Sequence, residues 1–258
     1  MRELEKSQYA MVYKLYCAQE AFFPVIAAVL LDKQDGVVYA DNVISPARIY
    51  VEHSFGFAQI FGSENHSFDE ELEKYLVLTK SFHAPKVRLW TPVEPAFMRS
   101  SKFDAHRSER QRFVLGESTS RSRAADAVGS DATRPLRGEE IAVVDNRFQL
   151  MGRFWRNEDK FLSEAYAVVA WKDSKPAAIC YAAAIADSQA EIDVMTAPEF
   201  RRSGLGREVV ECFNRRLLDA GFRPVWDCFT NNEGSMALCR STGFTPVRPP
   251  YPFYTFNK

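Results

Sequence analysis

The sequence predicts a mixed α/β protein, α+β-like in the grouping of its elements, and three features predict it. Strand-length apolar runs alternate with amphipathic helical stretches along the 258 residues. A polar segment, residues 117–139, separates two halves of domain size. In the second half a glycine turn, RRSGLG at 201–206, joins a strand-like run to an amphipathic helix.

The first half, residues 1–116, is expected to be a mixed α/β domain. Residues 4–18 read as a helix. The apolar run 21–31, AFFPVIAAVLL, is a buried strand or helix and is too short to span a bilayer. It follows Glu20 and precedes DKQDG, so it lacks the flanks and small-residue cleavage site of a leader. Residues 37–40 form a strand after a DG turn signal, and 48–61 give one or two strands broken at Gly56. Residues 68–79 read as a helix with acidic residues in its first turn, where the helix dipole favours them. Residues 86–90 and 109–115 are strands. The four histidines, His53, His66, His83 and His106, all fall in this half, scattered and without metal-ligand spacing.

Residues 117–139 contain almost no large apolar side chain and read as a flexible linker or long loop. The second domain then covers 140–258. Strands are expected at 147–156, 165–171, 177–186 and 190–196, with a turn at 173–175. The helix after the glycine turn runs to Ala220 and carries Leu205, Val209, Phe213 and Leu217 at every fourth position, an apolar stripe for a sheet. Gly221 stands where a left-handed residue ends a helix. Residues 224–229 are a strand. Residues 232–242 are a short helix with Asn232 as N-cap and Gly243 just past its end. The chain closes on an aromatic strand, YPFYTF.

Composition narrows the function classes. Lys and Arg total 33 against 34 Asp and Glu, a net charge of −1, which gives no electrostatic case for nucleic acid or an anionic membrane. The five cysteines are odd in number and include no C-x-x-C pair, so neither a zinc site nor a disulfide framework is expected. Reduced cysteines and a cytoplasmic location are the expectation.

The turn carries the chemistry. The first N–H groups of a helix have no partner within it, and the helix dipole adds partial positive charge there. Gly204 and Gly206 let a ligand approach the backbone, and Arg201 and Arg202 add charge at the rim. Together these suit a pyrophosphate. The alternative is a tight turn that uses glycine for its geometry alone. No G-K-[ST] follows, so it is not a Walker A loop, and Val209 stands where a dinucleotide fingerprint needs its third glycine.

The surrounding residues resemble a known family. R-x-x-G-x-G (Arg201, Gly204, Gly206) after T-A-P-E resembles the acetyl-CoA loop of the Gcn5-related N-acetyltransferases, the GNAT superfamily. N-x-x-S-x-x-L-C-x-S-x-G-F (Asn232, Ser235, Leu238, Gly243, Phe244) is similar to that family's later helix. P-V-W-D-C at 224–228 resembles a branch that includes the zwittermicin-resistance acetyltransferase, and F-P followed by GVVYAD in the first half resembles it loosely. The resemblance is specific over 147–256 and weak over 1–116. It implies a GNAT fold in the C-terminal half and a degenerate GNAT-like copy in the N-terminal half.

The resemblance also implies a mechanism. Acetyl-CoA, or another short acyl-CoA, would lie between two splayed parallel strands, 191–196 and 225–229, with no metal. Backbone N–H groups of Arg202, Ser203, Gly204, Leu205 and Gly206 would hold the pyrophosphate. Met195 and Thr196 would bond the pantetheine arm and polarise the thioester, and Asn232 and Ser235 would contact the arm. A small-molecule primary amine (an amino sugar, an amino-acid derivative or an antibiotic-like amine) would attack directly. The candidate proton acceptors are Glu191, Asp193 and Asp227. Glu191 and Asp193 share one face of a strand, which reads equally as a salt-bridged surface. The family's usual tyrosine acid falls on Cys239, a candidate acid or simply a small buried residue. Peptide or protein amine acetylation, and acyl-CoA binding without catalysis, are the alternatives.

Overall fold

The computed structural model describes residues 1–116 and 132–258; segment 117–131, most of the expected linker, lies outside them. The described chain divides into two compact units, Met1–Arg110 with Pro250–Lys258, and Gln111–Pro249.

The first unit opens with strand β1 (Arg2–Glu3) and helices α1 (Tyr9–Cys17) and α2 (Pro24–Leu30). Strands β2 (Gly36–Ala40), β3 (Arg48–His53) and β4 (Phe57–Gly62), helix α3 (His66–Glu73) and strand β5 (Lys86–Trp90) follow. Neighbours β1 to β4 pair antiparallel, while β5 lies parallel to β4. The C-terminal strand, Tyr251–Asn257, is antiparallel to β5. The apolar run of uncertain type is α2, with Pro24 at its first turn and every residue buried. Proline is preorganised for that position. Asn65 caps α3, its Oδ1 accepting from the Phe68 N–H at 3.2 Å. Gly56 is required between β3 and β4: its φ is +87° and a Cβ would stand 2.1 Å from the Lys86 carbonyl oxygen. Phe23, Trp90 and Phe57 stack in the core with centroids 4.5 and 4.6 Å apart.

Strand β6 (Arg107–Leu115) starts in the first unit and ends in the second. The second unit continues with β7 (Thr133–Pro135), α4 (Ile141–Phe148), α5 (Glu158–Glu164), β8 (Val168–Lys172), β9 (Lys175–Ala186) and β10 (Gln189–Thr196). Then come α6 (Leu205–Asp219), β11 (Arg223–Phe229), α7 (Glu233–Ser241) and β12 (Phe244–Pro246). Strands β7 to β10 pair antiparallel in sequence, and β11 lies parallel to β10. The element order repeats that of the first unit: short strand, two helices, three antiparallel strands, helix, parallel strand. Both units are therefore mixed α/β, as expected, although α4 and α5 of the second unit fall outside the elements the sequence predicts.

Helix α6 packs Val209, Val210, Phe213 and Leu217 onto Ala178, Cys180, Ala182 and Ala190. The small residues of β9 let the helix sit close to the sheet. Each large side chain so buried contributes about 1.5–3 kcal/mol.

Two local expectations are corrected. Residues 147–156 are not a strand: α4 ends at Phe148, Gln149 turns left-handed at φ +53°, and Gly152 has φ +78°. The alternation of Phe148, Leu150 and Phe154 imitates a strand, but those two backbone reversals break it, leaving an isolated bridge between Met151 and Trp155. Residues 133–135, of loop-like composition, form β7, paired from Thr133 to Pro135 against β8.

Candidate functional site

The parallel pairing of β10 with β11 is short. It covers Gln189–Glu191 against Arg223–Val225, after which β10 stays in register with β9 up to Thr196. The free ends of β10 and β11 part, and a cleft of about 780 Å³ opens where they do. Val194, Met195 and Thr196 line one side, and Asn232, Gly234, Ser235 and Leu238 line another. The turn before α6 closes the head of the cleft with Arg201, Arg202, Ser203, Gly204 and Gly206.

The turn is shaped by its backbone. Arg202 has φ +61° and Gly204 φ +88°, two left-handed residues separated by Ser203. The Ser203 hydroxyl donates to the Phe200 carbonyl at 2.5 Å. The first amides of α6 with a carbonyl partner are those of Arg207 and Glu208, both on Gly204 O at 2.9 and 3.2 Å. Among the described residues, the N–H groups of Arg202, Ser203, Gly204, Leu205 and Gly206 make no backbone hydrogen bond. Five unpaired donors at the positive end of a 15-residue helix form a ready anion cradle. A Cβ on Gly204 would meet nothing within 4 Å, so that glycine serves backbone conformation and an open surface. A Cβ on Gly206 would stand 3.0 Å from Thr196 Oγ1 and 3.6 Å from Leu238 Cδ2, both lining the cleft, so a side chain here would crowd the cleft wall. The Leu205 side chain turns into the core beside Val209.

Asn232 and Ser235 lie on the cleft and also have structural bonds. Asn232 Oδ1 accepts from the Ser235 N–H at 3.1 Å and so caps α7, and Ser235 Oγ accepts from Trp226 Nε1 at 3.1 Å.

The carboxylates divide into two groups. Ile192 and Val194 pack into the core under α6, so Glu191, Asp193 and Met195 point to the opposite face. The register slips between Glu191 and Ile192 because β9 carries an extra residue, Ala183, so the alternation along β10 itself is intact. Glu191 is 5% exposed and accepts from the two terminal guanidinium nitrogens of Arg112 at 3.3–3.4 Å. Asp227 on β11, its side chain 1% exposed, lies 3.8 Å from the same guanidinium. Asp193 stands in a different cluster. Tyr181, directly across on β9, donates its hydroxyl to Asp193 Oδ2 at 2.5 Å, and Arg153 approaches the same oxygen at 3.1 Å. Arg153 also reaches Met195 Sδ at 3.0 Å. The Asp193 side chain keeps 21% exposure.

Cys239 is fully buried in the core cluster of the second unit. Burial pushes its thiol well above the usual range, and neighbouring Cys228 adds to the shift. Among the described residues no group of His, Cys, Asp and Glu side chains converges as metal ligands, and no helix is long and apolar enough to cross a membrane.

Arg112, Tyr181 and Arg153 escaped the sequence reading. Tyr181 carries a faint signal as the one large polar side chain in the small-residue run of β9. Arg112 and Arg153 meet their partners only through long-range packing.

The chain is similar to known proteins over nearly its whole length. The sequence pattern of the GNAT acetyltransferase family matches residues 19–254. The chain is 22% identical over 256 residues to YdfB, an uncharacterized N-acetyltransferase of Bacillus subtilis (strain 168), covering 96% of this chain and 95% of that one. A solved GCN5-related N-acetyltransferase-like protein from Streptococcus suis 89/1591 shares the fold with a TM-score of 0.68 at 15% identity, over 98% of this chain and 99% of that one. An acetyltransferase of the GNAT family from Colwellia psychrerythraea gives 0.60 at 11% identity, over 100% and 99%. The chain belongs to the GNAT acetyltransferase family and is an acyltransferase.

Proposed function

We propose that this protein is an acetyl-CoA-dependent N-acetyltransferase that acts on the primary amine of a small molecule. The observation that carries the reading is the row of five unpaired amides, Arg202 to Gly206, at the head of the cleft between β10 and β11. A pyrophosphate there accepts from those amides while Arg201 and Arg202 balance its charge. The pantetheine arm runs along Val194, Met195 and Thr196, and the strand backbone polarises the thioester carbonyl. The amine nitrogen attacks that carbonyl carbon, and the C–S bond breaks as the tetrahedral oxyanion collapses.

Of the three candidate carboxylates, Asp193 is the one we assign to the amine's proton, directly or through a water. All three carboxylates have an arginine beside them, but Asp193, whose Oδ2 is held by Arg153 and Tyr181, keeps 21% of its side chain exposed beside cleft-lining Met195, whereas Glu191 and Asp227 are buried with Arg112. CoA leaves as the thiolate, because the Cys239 thiol is sealed in the core. The narrower kinship with the zwittermicin-resistance branch rests on residues 224–228, the body of β11. A cytoplasmic setting fits the five cysteines, none of which forms a disulfide among the described residues.

The test is calorimetric titration of acetyl-CoA into wild type, Gly204→Ala and Gly204→Glu. Both variants bear the same strain at φ +88°, and only the second adds an anion to the cradle. Wild type and Gly204→Ala bind and Gly204→Glu does not. Equal binding by Gly204→Glu overturns the assignment of the turn. A panel of small amines against peptide amines then separates the proposed acceptor class from protein acetylation, and no turnover of any amine leaves acyl-CoA binding alone.

A further inference from the structure

The Arg112 guanidinium sits where β10 and β11 begin to part. Glu191 is the last residue of β10 paired with β11, opposite Val225. Asp227 lies two residues further along β11, past the end of the pairing. The strand order is β6, β11, β10, so Arg112 extends from β6 across the face of β11 to reach Glu191. That span is about two strand spacings, roughly 10 Å, within reach of an arginine meeting a glutamate. Along the way its Nη1 is 3.8 Å from Asp227 Oδ2 and 3.3 Å from Glu191 Oε2. Arg112 is 6% exposed, and both carboxylates are buried with it.

We propose that Arg112 is a positioning residue that sets the splay of β10 and β11, and thereby the seat of the pantetheine arm, by holding Glu191 and Asp227 on one guanidinium at the point where the strands separate. The proposal rests on the acyl-CoA reading of the cleft. Two carboxylates confined in low dielectric repel each other, and one planar cation shared between them fixes their separation. Each carboxylate belongs to its own strand, so a guanidinium that holds both ties the two strands together at the base of the cleft. The device acts on the arm and not on the pyrophosphate, because the anion cradle belongs to a separate turn with its own backbone geometry.

That division provides the test. Full-length wild type, Arg112→Met, Arg112→Lys and the charge-free triple variant Arg112→Met/Glu191→Gln/Asp227→Asn are titrated with two probes. The first is acetyl-CoA. The second is 3′-phosphoadenosine 5′-diphosphate, which carries the pyrophosphate and lacks the pantetheine arm. Arg112→Met leaves two buried carboxylates without their shared cation and could unfold the chain; the triple variant removes all three charges and keeps the question answerable.

In folded Arg112→Met and in the folded triple variant, acetyl-CoA affinity falls by about tenfold or more while affinity for the arm-less probe stays at the wild-type value. Arg112→Lys keeps the charge without the fork and falls between. A folded triple variant that binds acetyl-CoA as tightly as wild type overturns the proposal, and so does equal weakening of both probes. Failure of wild type to bind either probe contradicts the acyl-CoA reading itself, a result distinct from both.

Discussion

Gly206 offers a test of why this site needs glycine, because two opposing effects of similar size meet there. It is the second residue of α6, a position where glycine costs up to about 1 kcal/mol relative to alanine. Alanine recovers that stability only if its Cβ finds room. The new methyl would stand 3.0 Å from Thr196 Oγ1 and 3.6 Å from Leu238 Cδ2. The second contact is ordinary; the first must open by a few tenths of an ångström. Displacing the half-buried threonine side chain from its rotamer costs about 0.5–1.5 kcal/mol. The two effects cancel to within about 1 kcal/mol, so Gly206→Ala unfolds in urea close to wild type with an unchanged m value.

Thr196→Ala removes the obstacle, and the double variant is then more stable than the two single changes sum to, by about 0.5–1.5 kcal/mol. Acetyl-CoA affinity, measured on the same proteins, falls in Gly206→Ala despite its unchanged stability. The glycine is then retained for the close approach of the ligand to the amides and not for the fold. A loss above about 2 kcal/mol in Gly206→Ala that Thr196→Ala does not relieve refutes this reasoning, because packing alone would then demand the glycine.

Two further outcomes follow from the buried groups. Cys239→Ala keeps kcat within about twofold, because a thiol raised by burial in the core supplies no proton to the leaving group; a drop of about a hundredfold, the scale of a lost general acid, would restore it as the acid. In the native protein a thiol reagent at pH 8 modifies exposed Cys17 before buried Cys180 and Cys239, which react after unfolding. In the first unit, burial and then the nearby Arg88 charge hold His53 down to about 3 from 6.5. The unfolded chain takes up that proton below about pH 6.5 and the folded chain does not, so stability is intact above that pH and declines toward pH 3 at up to about 1.4 kcal/mol per unit. His53→Asn, which keeps an acceptor for the Phe55 N–H, flattens that part of the pH dependence; an unchanged slope assigns it to other groups.

Much of this architecture is legible in the chain, and the exceptions have physical reasons. Helix α6 announces itself through Leu205, Val209, Phe213 and Leu217, because one face of a 3.6-residue period must meet the sheet. Helix α2 has no such period: all its residues are buried, so only Pro24 at its first turn distinguishes it from a strand. The segment 147–156 misleads because local alternation is visible in sequence, whereas a left-handed Gln149 is not.

The same division holds at the site. The glycine turn reads directly, since backbone conformation and open space are local demands on Gly204. The partners of the carboxylates do not read directly. Tyr181 meets Asp193 through the register of β9 on β10, two residues before an extra residue at Ala183. Arg112 reaches Glu191 across 79 positions of chain. Which side of β10 faces the helix is decided by that pairing. So the choice among Glu191, Asp193 and Asp227, each beside an arginine, waits on which of them keeps exposed surface.

The central claim is that the Arg202–Gly206 amides and the β10–β11 splay hold an acyl-CoA. A crystal structure of the full chain with acetyl-CoA tests it most directly. The account predicts pyrophosphate oxygens within about 3 Å of several of those N–H groups, with the pantetheine arm along Val194 to Thr196. Acetyl-CoA bound elsewhere on the chain, with those five amides left to solvent, contradicts it.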